Sequence, residues 1–247
     1  MHYIFSLFLV ALLTINAHAA ARPGGSVAYS VGDQPYEGYL ISPAADAPLV
    51  LLIHDWDGLG DYEVRRAEML AELGYAVFAA DLFGAGVRPT AVEDKRAQTS
   101  ALYADREKMR ALLNGALAAA KKQGLNTDRA VAMGYCFGGA AVLEFGRSGA
   151  PLKGFVSFHG GLETPEGQDY GSAKGSFLIL HGTADSSVTM DHFATLAKEL
   201  EAQNVPHEMI SYSGAPHAFT VFGSQAYRED ADKKSWKRFV EYLGETL

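Results

Sequence analysis

The chain has 247 residues, 48% of them hydrophobic and 20% charged, a composition that excludes disordered and fibrous classes and fits a soluble globular protein. A formal net charge of -8, with no dense run of Lys and Arg, excludes an extended nucleic-acid surface. One cysteine, Cys136, excludes an intrachain disulfide, so a chain of this length must be held by its core.

The chain opens with an apolar stretch from Tyr3 to Ile15, followed by small residues at Ala17 and Ala19. This is the core and A-x-A pattern of a secretory signal, and the apolar stretch is short for a membrane span. A signal peptide over residues 1–19 is expected, cut after Ala19 or Ala21. The mature protein is then exported, periplasmic or secreted, with no stable membrane association, and forms a single domain over residues 26–247.

SVAYSVGDQPYEGYLISP alternates apolar and polar residues on both sides of Gly32 and Asp33, which predicts an antiparallel hairpin. APLVLLIHDW is instead a continuous apolar run, as in a strand covered on both faces. In DYEVRRAEMLAELG, Val64, Ala67, Met69, Leu70 and Leu73 mark one face of a helix that Gly74 stops. YAVFAADL reads as a further buried strand, completing a parallel βαβ unit. One long helix is expected between about Gln98 and Lys122, then strand RAVAMGY, helix FGGAAVLEFGR, and strands KGFVSFHG and GSFLILHG. Helix MDHFATLAKELEAQ, strand PHEMISYSG and a closing helix from Ala226 to Tyr242 complete the pattern. The fold class is α/β, a doubly wound, mostly parallel sheet with an N-terminal antiparallel hairpin. Two irregular stretches, Asp81–Arg96 and Gly160–Gly175, begin at carboxyl ends of strands, where such sheets bind ligands.

Cys136 stands at the strand-to-helix turn in the order Gly134, Tyr135, Cys136, Phe137, Gly138, which is a G-x-S-x-G elbow with Cys in place of Ser. Side chains two residues either side of the nucleophile would strike the neighbouring strand and helix, and glycine removes both collisions. The elbow also sets the sulfur at the positive end of a helix. A nucleophile needs a base, and the base an orienting partner. In elbow hydrolases the chain order is nucleophile, acid, histidine. Asp185 follows strand GSFLILHG and His217 follows strand PHEMISYSG, so the order fits. His181 is expected to bond locally, His159 to be structural, His192 and His207 to lie at the surface, and Asp191 to stabilise the start of a helix. No H-E-x-x-H or Cys/His cluster occurs, so neither metal nor cofactor is expected.

At these residues the chain resembles the dienelactone hydrolase family of α/β-hydrolases: GYCFGG, HGTAD and GAPHAF match its three catalytic segments. LLIHDWDGLGDYEVRRAEMLAELGYAVFAADLFG looks like its first central strand and helix, and the similarity runs from about Val27 to Leu243. The resemblance implies Cys136 as nucleophile, His217 as base and later acid, and Asp185 as the carboxylate that orients His217. It also implies an oxyanion hole from the backbone N–H groups of Trp56 and Phe137. The family commonly has a glutamate that bonds the resting thiol, and here Asp55 holds that place. An arginine that binds the substrate carboxylate soon after the catalytic histidine is replaced in HAFTVFG by Thr220, Val221 and Phe222. Arg88, or else Arg106, is the expected replacement cation. The implied substrate is a small ester or lactone, cleaved through a thioacyl-enzyme. An acyltransferase or thioesterase using the same groups is the alternative, as is a non-catalytic secreted binding protein, which would hold the three groups out of hydrogen-bond reach.

Overall fold

The computed structural model describes residues 21–247, and the expected signal segment, residues 1–19, lies outside them. The hairpin pairs β1 (Arg22–Val31) with β2 (Gln34–Ser42), and Gly32 supplies the left-handed turn residue at φ 59°. β1 thus begins ahead of the expected domain start at residue 26. Parallel strands follow: β3 (Pro48–Ile53), β4 (Ala76–Ala80), β5 (Asn126–Tyr135), β6 (Gly154–Phe158), β7 (Ser176–Gly182) and β8 (His207–Tyr212). They make one sheet in the order β1-β2-β4-β3-β5-β6-β7-β8, antiparallel only at β1–β2 and β2–β4.

The pleat of β3 accounts for its unbroken apolar run. Leu49, Leu51 and Ile53 join one core with Met109 and Leu113 of α3 (Arg106–Lys122), Val142 of α4 (Phe137–Arg147) and Leu196 of α5 (Met190–Ala202). Val50 and Leu52 point the other way, into a core with Leu70 of α1 (Asp61–Glu72) and Phe239 of α6 (Glu229–Thr246). Both faces are covered by helices, so neither side of the strand needs polar residues.

Two expectations need correction. The single helix over Gln98–Lys122 is two, α2 (Val92–Ala104) and α3, because Asp105 leaves helical geometry and its carboxylate caps α3 by accepting from Lys108 N–H at 2.9 Å. In α1 the buried residues are Glu63, Arg66, Ala67 and Leu70, while Leu73, expected on the apolar face, is 49% exposed. Two charged side chains point inward because each meets partners there: Arg66 from distant segments, Glu63 from the loop just before the helix.

Candidate active site

β5 ends at Tyr135 and α4 begins at Phe137, leaving Cys136 alone in the turn at φ 52° and ψ -113°. A non-glycine residue there stores roughly 1–3 kcal/mol of strain, held only where the surroundings over-determine it. Here Cys136 N–H donates to Phe158 O at 3.0 Å, and Cys136 O accepts from Ala140 N–H at 3.2 Å. A Cβ on Gly134 would sit 2.3 Å from the carbonyl of Gly138, and one on Gly138 would sit 2.3 Å from Ile53 O. The first glycine lets strand and helix double back on one another, and the second lets the start of α4 abut the end of β3. That contact brings the segment carrying Trp56 beside the first turn of α4. Trp56 N–H has no hydrogen-bond partner among the described residues, and Phe137 N–H opens α4, where no intrahelical acceptor exists.

The imidazole of His217, from the loop after β8, joins two side chains from elsewhere. Its Nε2 is 3.1 Å from Cys136 Sγ and its Nδ1 is 2.7 Å from Asp185 Oδ2. Asp185 follows β7, and its Oδ1 accepts the N–H groups of Ser187 at 2.9 Å and Val188 at 2.8 Å, so the carboxylate is fixed before it meets the ring. Burial pushes the Asp185 pKa up, but the bonds from His217 and Val188 outweigh it and hold the carboxyl below its ordinary range. Burial likewise disfavours the charged form of His217, yet the bonds to Asp185 and Cys136 raise its pKa to about 10. His217 therefore holds a proton more tightly than a free imidazole does. All three groups lie within hydrogen-bond reach, unlike the arrangement a pure binder would have.

The remaining expected site residues take other places. Asp55 Oδ1 accepts Asp57 N–H at 3.0 Å, and the bond made by Cys136 Sγ is to His217 rather than to Asp55. Burial, the contact with the Asp57 carboxyl and the charge of Glu63 push the Asp55 pKa up to about 10, against the bond from Asp57 N–H. Arg88, expected as a substrate cation, instead donates to backbone carbonyls of Leu59, Val87, Gly84 and Glu37, so its guanidinium ties the loops after β3 and β4 to β2. Arg106 stands 3.5 Å from Glu144 and over the ring of Tyr103. It lines a cavity of about 210 Å³ with Tyr103, Ala140, Arg147, Gly161 and Glu163, one helical turn from Cys136. Gly161 and Glu163 come from the irregular stretch 160–175. A larger cavity of about 490 Å³, between β1 and α3, contains none of these groups. His181 Nε2 bonds Val188 O at 2.7 Å, the local role expected of it, and His192 Nδ1 accepts Thr189 N–H at the start of α5.

Glu63 escaped the sequence reading. It is 1% exposed, and its two oxygens accept Asp55 N–H at 3.3 Å and Gly60 N–H at 2.9 Å, clamping both ends of the loop that carries Trp56. The one signal for it was its place three residues after Gly60, the spacing of a capping box. His159 and Thr220 are both fully buried beside His217, and nothing local in the sequence marks them for that position.

A profile of the dienelactone hydrolase family matches residues 36–247. The chain belongs to the dienelactone hydrolase family. Membership makes it an α/β-hydrolase-fold enzyme with hydrolase chemistry. Among solved structures, a dienelactone hydrolase-like promiscuous phosphotriesterase from metagenomic libraries is 29% identical, with a TM-score of 0.84 over 92% of this chain and 99% of that one. The protein named m3DLH is 32% identical, with a TM-score of 0.84 over 91% of this chain and 98% of the other. A "Putative carboxymethylenebutenolidase" of Salmonella typhimurium is 24% identical over 241 residues, covering 90% of this chain and 89% of that protein. This dienelactone hydrolase family member thus matches these three relatives over most of their lengths.

Proposed function

We propose that the protein hydrolyses small carboxylic esters or lactones through Cys136, His217 and Asp185, by way of a thioacyl-enzyme. The observation that carries this reading is the unbroken chain Sγ–Nε2, 3.1 Å, and Nδ1–Oδ2, 2.7 Å, at the tip of a strained elbow. The sulfur, its proton passed to Nε2, attacks the carbonyl carbon, and the N–H groups of Trp56 and Phe137 receive the charge that develops on the carbonyl oxygen. The tetrahedral adduct collapses, the ester C–O bond breaks, and Nε2 gives its proton to the leaving alkoxide oxygen. A water then gives a proton to Nε2 as its oxygen attacks the thioester, the C–S bond breaks, and the acid departs. Asp185 stays ionised throughout and keeps the Nδ1 proton where the imidazolium needs it. The apolar stretch at the amino terminus supports a place of action outside the cytoplasm.

The test uses purified protein, a panel of aryl esters and lactones, and the variants Cys136→Ala and His217→Ala. Each variant should lose activity by a factor of about 10³ or more, and rapid quenching of the wild type should trap a protein heavier by one acyl group, located on Cys136. Hydrolysis that persists in both variants, or an acyl group found on another residue, would overturn the assignment.

A further inference from the structure

Behind His217 lies a polar connection that the proposed chemistry does not use. The turn after His217 is tightly wound: Ala218 is left-handed at φ 59°, Val221 N–H donates to Ala218 O at 3.0 Å, and Arg228 N–H to Phe219 O at 3.0 Å. Thr220 sits at the centre of that turn, fully buried and held at two points. Its carbonyl accepts from Arg66 Nη2 at 2.9 Å, and its Oγ1 is 2.7 Å from both Tyr62 Oη and His159 Nε2. Arg66 is itself anchored by a buried ion pair with Asp232 of α6 and donates Nε–H to Tyr62 Oη at 3.3 Å.

His159 closes the connection from the other side. It caps the end of β6, is fully buried, and takes the left-handed conformation at φ 40°, uncommon for a residue with a Cβ. Its N–H donates to Leu180 O at 2.8 Å, so its backbone is tied to β7. Its ring stands edge-to-face with His217 at 5.4 Å between centroids, and with Phe219 at 5.3 Å. The titratable groups that face it are His217, Asp185, His181 and Tyr135. Burial first, then the charge of His217, keeps its pKa well below the ordinary histidine range. A neutral ring beside the His217 imidazolium packs without repulsion.

We propose that His159 and Thr220 are positioning residues: an imidazole–hydroxyl strut running from the end of β6 to the turn after β8, which sets the direction in which the His217 ring points. The strut itself makes no hydrogen bond to the sulfur among the described residues. It rests on the reading of His217 as the catalytic base. Without it the turn keeps its backbone bonds, Arg66 and the Tyr62 hydroxyl but loses its tie to the end of β6, and the ring, held at Nδ1 alone, drifts from its alignment on Sγ.

The test is made on the full mature enzyme with Thr220→Val, Thr220→Ser and His159→Phe, beside His217→Ala. Thr220→Val and His159→Phe should lower kcat roughly ten- to a hundredfold while KM stays within about twofold. The His217 imidazole, followed by NMR, should titrate at a lower pH in both than in the wild type. Thr220→Ser, which keeps the hydroxyl, should restore both quantities. A purely structural role would lower the melting temperature without moving the His217 titration. Should His159→Phe fail to fold, the Thr220 pair decides the matter alone. Wild-type kcat and wild-type His217 titration in folded Thr220→Val would overturn the strut, with the base assignment intact if His217→Ala is inactive. Activity surviving in His217→Ala would overturn the reading of the site and the strut with it.

Discussion

His217 Nε2 lies 3.1 Å from Cys136 Sγ although 81 residues separate them in the chain. The opposite nitrogen of the same ring reaches Asp185 Oδ2 at 2.7 Å, so one imidazole joins segments that follow three different strands, β5, β7 and β8. Its orientation is fixed at Nδ1 by a carboxylate that two backbone N–H groups already hold.

Asp185→Asn should separate orientation from folding. The amide oxygen can still accept from Ser187 and Val188, so the melting temperature should stay within a few degrees. The amide nitrogen facing Nδ1 favours the wrong tautomer, and kcat should fall by about 10⁴, as in comparable triads. Steady-state kinetics beside thermal unfolding will read both quantities.

Gly138→Ala should be far more damaging than its one added carbon suggests. The new Cβ would lie 2.3 Å from Ile53 O and 2.5 Å from His54 O, both backbone atoms that cannot swing aside. Helix α4 must then retreat from β3, which separates Phe137 N–H from Trp56 N–H. A stability loss of about 1–3 kcal/mol in urea unfolding should accompany a drop in kcat larger than that loss explains. Gly244→Ala, where the Cβ meets nothing within 4 Å, is the control and should be neutral or slightly stabilising.

Glu144→Gln tests the cationic cluster beside the smaller cavity. Its buried carboxylate lies 2.6 Å from Arg110, 2.9 Å from Arg147 and 3.5 Å from Arg106. Removing the one carboxylate the three guanidinium groups share should cost about 3–5 kcal/mol at neutral pH. Burial raises the Glu144 pKa, but the arginines outweigh it and hold it below its ordinary value of 4.5. Its contribution is therefore complete above pH 4.5 and lost as pH falls through the lower folded value. The deficit of the variant, measured by denaturant titration, should shrink on acidification.

Glu63→Gln should show the reverse dependence. Burial raises the Glu63 pKa from 4.5 to about 7, against the bonds from the Gly60 and Asp55 N–H groups. The folded state therefore favours the protonated carboxyl, and the wild type should lose up to about 3 kcal/mol of stability as pH rises from 4.5 through 7. The glutamine variant lacks that loss, so its stability relative to wild type should climb across the same window. A stability difference that stays flat with pH would contradict the assignment.

Local pattern was enough to read much of this protein from its residues. The apolar run of β3, the glycines around Cys136, and the order Cys136, Asp185, His217 each depend on neighbours a few positions away, or on the sequence of strand ends. Loops that follow parallel strands all open on one edge of the sheet, which is why three groups each placed just after a strand were legible as candidates. Asp105, by contrast, divides a helix whose composition reads as continuous, because a side-chain cap competes with helix propagation on terms that Ala- and Leu-rich periodicity does not record.

The sequence by itself determined the doubly wound sheet, the elbow and the identity of the groups that gather at it. Only the tertiary structure decided which charged and polar residues go inside: Arg66 is buried because Thr220 and Asp232, 154 and 166 residues away, supply its acceptors. It likewise engaged Arg88, a candidate ligand, as a brace between two loops and β2, and drew His159 and Thr220 up behind His217. Burying a polar group costs free energy unless a partner meets it, and such a partner, supplied by a remote strand or helix, leaves no trace in the local sequence.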